Sequence, residues 1–156
     1  MNVQTKPPVI SSINEVRKKI AEYKKCNLKI GFVPTMGALH IGHRSLIEEA
    51  EQECDIVIVS IFVNPIQFGP SEDFDEYPRQ LEDDVNYCTN CNVGFIFSPS
   101  ASEMYPETEG DFLANLTKVI SPNNFQNKLC GKSRPGHFDG VTTVVLKLFN
   151  IVQPDK

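Results

Sequence analysis

The stretch LKIGFVPTMGALHIGHRSLIEEAEQECDIVIVSIFV, Leu28 to Val63, decides the fold. Its opening, Leu28 to Val33, is a short β-prone run. A loop over Pro34 to Gly42 follows, and HRSLIEEAEQE then sets Leu46, Ile47 and Ala50 on one helical face. From Asp55 the chain turns to nearly continuous Val and Ile over Ile56 to Val63, as a strand buried on both sheet faces requires. A strand, a helix and a strand at this spacing make a parallel βαβ crossover.

Outward from that unit the α/β alternation continues. SSINEVRKKIAEYKK, with apolar Ile13, Val16, Ile20 and Tyr23, predicts a first helix, and Ser12 with Glu15 offers a capping box. Beyond Val63, NPIQFGPSEDFDEYPR is a Pro- and Gly-bearing loop, QLEDDVNYC a second crossover helix and VGFIFSPS a third strand. MYPETEG is expected as a surface loop, and DFLANLTKVI stays open between an edge strand and a helical turn. SPNNFQNKLCGKSRPGH is expected to be irregular, with one short helix. A last helix is predicted from Asp139 as its cap, mostly buried through Val141, Val144, Val145, Leu148, Phe149 and Val152, and stopped by Pro154.

With 156 residues, 40% hydrophobic and 22% charged, the chain is expected to form one globular domain over 1–156. A net charge of -5 argues against nucleic-acid and anionic-membrane surfaces, so any phosphate site has to be a local positive island. No apolar run reaches the length of a membrane span, and Met1 to Ile10 lacks a secretory pattern, so a cytoplasmic location is expected. Five scattered cysteines fit reduced thiols better than a disulfide framework.

Two of the three histidines, His40 and His43, stand three apart where the first strand gives way to a helix. Unpaired N–H groups of a helix start collect anions at such a junction, and the two imidazoles can add donors toward a phosphate. Gly37 and Gly42 would let a nucleotide lie close to the backbone. The alternative is two surface histidines on a helix start, and G-x-G-x-x-G is absent. A zinc pair on a helix would ask for spacing of four and a third ligand, so no protein-bound metal is expected. Cys88 and Cys91 in CTNC lack a second pair and read as two half-buried thiols.

Two further segments carry polar groups, the first of them emerging at the same sheet edge as the histidines. In FVNPIQF, Asn64 and Gln67 offer amides that both donate and accept, suited to a ligand with hydroxyls and a carboxylate; a polar loop capping a strand end is the plainer alternative. In GKSRPGHFDGVTTVV, Lys132, Arg134 and His137 gather as the second half of a positive island, or as a solvated turn before a helix.

Together PTMGALHIGH, SIFVNPIQF, YPR and RPGHFDGVTTVVLKLFNIVQPD resemble the pantothenate synthetase (pantoate–β-alanine ligase) family, within the broader H-x-G-H nucleotidyltransferases. The resemblance runs from about Leu28 onward and implies a Rossmann-like, three-layer α/β domain with a parallel sheet. It also implies a homodimer, and ATP with Mg²⁺ as substrate. The implied reaction joins pantoate to β-alanine through a pantoyl adenylate, releasing pyrophosphate and then AMP. Carried onto this chain, it places Thr35, Met36, Gly37, His40, Gly42 and His43 against ATP, with His40 and His43 catalytic and His43 the proton donor. Met36, Asn64, Gln67, Val141, Val144 and Val145 would hold pantoate or β-alanine, with Arg134 and His137 flanking the mouth. The chain stops at VQPDK, before the family's later strands and C-terminal domain. On that reading it is an N-terminal part, able to bind pantoate but catalytically silent, with its first strand an open edge that favours self-association.

Two rival readings remain at this level. A nucleotidylyltransferase would use the same histidine loop but gives no reason for FVNPIQF or RPGHF. A non-catalytic ligand-binding module would retain pantoate without turning it over.

Overall fold

The computed structural model describes residues 5–69, 72, 74–106, 116–126, 128 and 130–156. Among the described residues four strands form one parallel sheet in the order β1-β4-β3-β2: β1 is Val9–Ile10, β2 Ile30–Thr35, β3 Ile56–Ile61 and β4 Val93–Phe97. The helices are α1 (Ile13–Lys25), α2 (Ile41–Glu53), α3 (Leu81–Thr89), the short α4 (Ala101–Met104), α5 (Asn123–Gln126) and α6 (Cys130–Ser133), and α7 (His137–Val152). The chain is thus α/β with a Rossmann-like parallel sheet between two helical layers.

Alternation along the strands separates the two layers. Phe32, Ile58, Phe95 and Phe97 face α1 and α7, where Val16, Ile20, Val144, Leu148 and Ile151 close the larger core. Val33, Val57, Val59, Ile61 and Ile96 face the other way, onto Ile47 of α2 and Val85 and Cys88 of α3. Each such side chain taken fully out of water contributes about 1.5–3 kcal/mol, which is why the Val/Ile-rich β3 sits inside the sheet.

The structure shifts several boundaries. β2 extends through Pro34 and Thr35, so the loop before α2 is shorter than expected, and α2 begins at Ile41 with His40 as its cap. β1 is too short to carry a periodic signal and exists by pairing with β4. Ser12 caps α1 without a side-chain hydrogen bond; the first amide, on Ile13, donates instead to Glu103 at 2.7 Å. α7 begins two residues before Asp139, behind a left-handed Gly136. Asp139 accepts the N–H and the hydroxyl of Ser121 at 2.8 and 2.7 Å. Its last turn closes over Gln153, also left-handed, just before Pro154. Two short helices occupy the segment expected to hold one. Within the expected surface loop MYPETEG, Met104 and Tyr105 are buried core residues, and 107–110 lie outside the described residues. DFLANLTKVI falls partly outside as well, and its described part, 116–120, is neither strand nor helix. Cys88 is fully buried rather than half-buried, and its thiol is pushed up to about 12 by burial.

Among the described residues β2 has one strand neighbour, β3, and its outer edge is met by Asp155 and Lys156. The amides of Asp155 and Lys156 donate to the Ile30 carbonyl at 2.8 and 3.3 Å, and the Phe32 amide donates to the Lys156 carbonyl at 3.0 Å. That is the bonding pattern of a parallel bridge.

Candidate functional site

The loop after β2 is held from three directions. The Thr35 hydroxyl donates to the Ser60 carbonyl at 2.7 Å and accepts the Gly37 amide at 3.1 Å. Gly37 and Ala38 are both left-handed, with φ 91° and 52°, a backbone that costs an alanine of order 1 kcal/mol. From α3, the buried carboxylate of Asp84 accepts the amides of Ala38 at 3.0 Å and Leu39 at 2.7 Å. A Cβ on Gly37 would stand 2.9 Å from the same carboxylate, so the turn has room only for glycine.

The two histidines complete the turn into α2. His40 Nδ1 accepts the Gly42 amide at 3.1 Å, and the His40 amide donates to His43 Nδ1 at 3.3 Å. The rings lie 4.1 Å apart. Each ring uses Nδ1 as an acceptor, so the proton of each neutral imidazole is on Nε2, which is left as a donor. Burial, and then the neighbouring His40, hold the His43 pKa below its ordinary 6.5, while Asp84 opposes them. A Cβ on Gly42 would meet the His40 ring at 3.0 Å, so the His40 cap itself asks for a small residue there.

These elements open onto a cavity of about 510 Å³ at the carboxyl edge of the sheet. Thr35, Met36, Gly37, His40 and His43 line one side, Asn64 and Gln67 the floor, and Val141, Val144 and Val145 of α7 the apolar wall. The size and the mix of apolar wall with few polar groups suit a small organic ligand. Pro34, Ala38, Phe62, Tyr77 and Leu148 also line it and were not anticipated, although Tyr77 stands in the quoted YPR.

The floor is a 3₁₀ turn, Pro65–Gln67, pressed against α7. Gly140 allows that approach: a Cβ would lie 2.5 Å from the Ile66 carbonyl and 2.6 Å from Gln67 Cα. Asn64 and Gln67 are buried, at 1% and 6% exposure, and hydrogen-bonded to each other at 3.1 Å. Asn64 therefore acts mostly within the protein.

Three residues carried over by the resemblance do not line the cavity: Gly42, Arg134 and His137. Arg134 makes a two-toothed ion pair with Glu72, one contact of which is 3.0 Å, and holds the Glu72 carboxyl below the usual carboxylate range. His137 Nδ1 donates to the Gln67 carbonyl at 2.8 Å. Arg134 and His137 thereby tie Glu72 and the Gln67 turn to the start of α7, and the Arg134 charge is countered by Glu72. Among the described residues no three metal-ligating side chains come together and no helix is long and apolar enough to cross a membrane.

The family model for Pantoate-beta-alanine ligase matches residues 8–156. The chain is 53% identical over 147 residues to the pantothenate synthetase of Hydrogenovibrio crunogenus, covering 94% of this chain and 50% of that protein. It is 54% identical over 148 residues to that of Caldicellulosiruptor bescii, covering 95% and 50%. The crystal structure of the pantoate-beta-alanine ligase from Francisella tularensis, complexed with beta-gamma ATP and beta-alanine, superposes with a TM-score of 0.85 at 44% identity, covering 96% of this chain and 54% of that one. The chain spans about half the length of the relatives it matches. On the strength of the family match over residues 8–156 and these identities, the chain belongs to the pantoate-beta-alanine ligase family.

Proposed function

We propose that these residues form the pantoate- and ATP-binding part of an ATP-dependent ligase that joins pantoate to β-alanine. The observation that carries this reading is the single cavity in which two Nε2–H imidazoles, the Gln67 carboxamide and a valine wall converge in a member of this family. The valines would take the dimethyl group of pantoate and Gln67 its hydroxyl and carboxylate oxygens. The histidine turn, with Thr35, Met36 and Gly37, would take the nucleotide. Magnesium would enter on the phosphates of ATP, not as a resident ion.

In the proposed sequence the pantoate carboxylate attacks the α-phosphorus, and pyrophosphate leaves. The amine of β-alanine then attacks the acyl carbon, AMP leaves with the bonding electron pair, and the amide forms after loss of the amine proton. Charge builds on phosphoryl oxygens in the first step, so preorganised donors such as the two imidazoles would supply most of the stabilisation, with His43 as the proton donor. A closed apolar wall would protect the adenylate from water. The full protein would work in the cytoplasm, as a homodimer, and 1–156 would be one domain of it. Assayed alone, these residues are expected to hold pantoate without robust turnover, since the relatives are about twice as long.

Calorimetric titration of pantoate and of ATP, each alone, tests the reading. Pantoate binding that Gln67→Ala abolishes, and ATP binding that His43→Ala weakens, would support it. Absence of binding by both ligands would overturn it.

A further inference from the structure

A line of polar groups runs from the core to the cavity floor. Tyr105, 2% exposed and just beyond α4, donates its hydroxyl proton to Asn64 Oδ1 at 2.8 Å. Asn64 Nδ2 donates to the Gly140 carbonyl at 3.2 Å and to Gln67 Oε1 at 3.1 Å. Gln67 Nε2 then contacts the Met36 sulfur at 2.9 Å, on the cavity side.

The sense of this line follows from chemistry. Oxygen and nitrogen of an amide are interchangeable in shape, so their placement has to be settled by a partner of fixed sense. The Gly140 carbonyl can only accept, which turns Asn64 Nδ2 toward it and Oδ1 toward the phenol. The second proton of that Nδ2 meets Gln67, whose oxygen must face it. The Gln67 NH2 is thereby sent toward the cavity, where its partner is a thioether, a weak acceptor that a ligand oxygen would outcompete.

We propose that Tyr105 is a positioning residue: by donating to Asn64 Oδ1 it holds the Asn64 amide in the sense that the Gly140 carbonyl sets, and so keeps the Gln67 carboxamide with its N–H donors toward the cavity, making that subsite selective for an acceptor oxygen. The selectivity part rests on the reading of the cavity as the pantoate site; the orientation part does not. Tyr105 touches no ligand itself. Its hydroxyl holds the far side of Asn64, and without it a buried Oδ1 loses its donor where water does not reach.

The test uses side-chain carboxamide NMR signals of this chain. In the unsubstituted chain, Gln67 NH2 protons should show nuclear Overhauser contacts to the Met36 methyl group; their absence, in an assigned spectrum, overturns the orientation without any substitution. In Tyr105→Phe, the Asn64 and Gln67 NH2 signals should shift together and exchange with solvent about tenfold faster, while β3 and β4 backbone amides keep their protection. A Gln67 signal that keeps its position and exchange rate in the variant overturns the proposal. Pantoate affinity should fall about tenfold in the same variant, the equivalent of one lost buried hydrogen bond. Unchanged affinity beside displaced NH2 signals overturns the selectivity part. Failure of the parent chain to bind pantoate refutes the ligand reading alone, and the NH2 signals still decide the orientation.

Discussion

Asp84 Oδ1 accepts the backbone amide of Leu39 at 2.7 Å, across 45 residues of chain. Its other oxygen accepts Ala38, so one carboxylate from α3 closes the turn that presents both histidines. Asp84→Asn keeps the shape but offers one acceptor oxygen for two amides, leaving a part-buried donor facing an NH2 group. The expected loss is about 1–3 kcal/mol in urea denaturation, with weaker ATP binding. A variant with parental stability and nucleotide affinity would remove Asp84 from this role.

His43 should titrate below 6.5, chiefly through burial. For a base whose folded pKa is depressed, the unfolded chain takes up its proton first, so stability is full above the unfolded value and falls as pH drops through 6.5 toward the folded pKa. Imidazole NMR and denaturation at several pH values check both statements. In His43→Gln this part of the acid sensitivity should vanish.

Gly140→Ala places a methyl group against the Ile66 carbonyl and the Gln67 backbone, neither of which can move as a flexible side chain would. An overpacking cost of about 1–3 kcal/mol is expected, read as a Tm loss of roughly 2–4 °C per kcal/mol. Gln67 moves with the turn, so pantoate affinity should drop in parallel.

Arg134→Met breaks the pair with Glu72 on a partly exposed loop and leaves the cavity lining intact. Pantoate affinity should stay within about twofold, since such pairs contribute little. A loss comparable to that of Gln67→Ala, measured by calorimetry, would return Arg134 to the binding site.

Cys88 has no exposed surface and its thiol is pushed up to about 12, whereas Cys26 is exposed. Iodoacetamide at mildly alkaline pH should label Cys26 in the native chain and spare Cys88 until unfolding. Peptide mapping by mass spectrometry separates the two.

The parallel sheet was legible because β3 and the run from Leu28 carry their burial in composition, and the histidine turn because it sits at a strand-to-helix junction. The burial of α7 followed from its apolar periodicity, while the place of its valines in the cavity wall came only with the family resemblance. What stayed hidden shares one cause: it depends on groups far apart in sequence. Asp84 stands in an acidic run that reads as ordinary charge at a helix start, and only the fold carries it to Leu39. Tyr105 sits in a tract of turn-forming residues whose polarity suggests a surface. Arg134 looks like a free cation until Glu72, in a distant loop, is brought to it. Gly140 reads as a weak point in a helix, and its purpose is visible only with Ile66 against it.

In a parallel strand alternate residues turn their amides to opposite sides, and on β2 the outward set is Ile30, Phe32 and Pro34. The first two are engaged by Asp155 and Lys156. At the third, proline has no hydrogen to give. A foreign strand creeping along this border would find its lower rungs taken and the upper one missing, so β2 is a poor template for amyloid-like stacking.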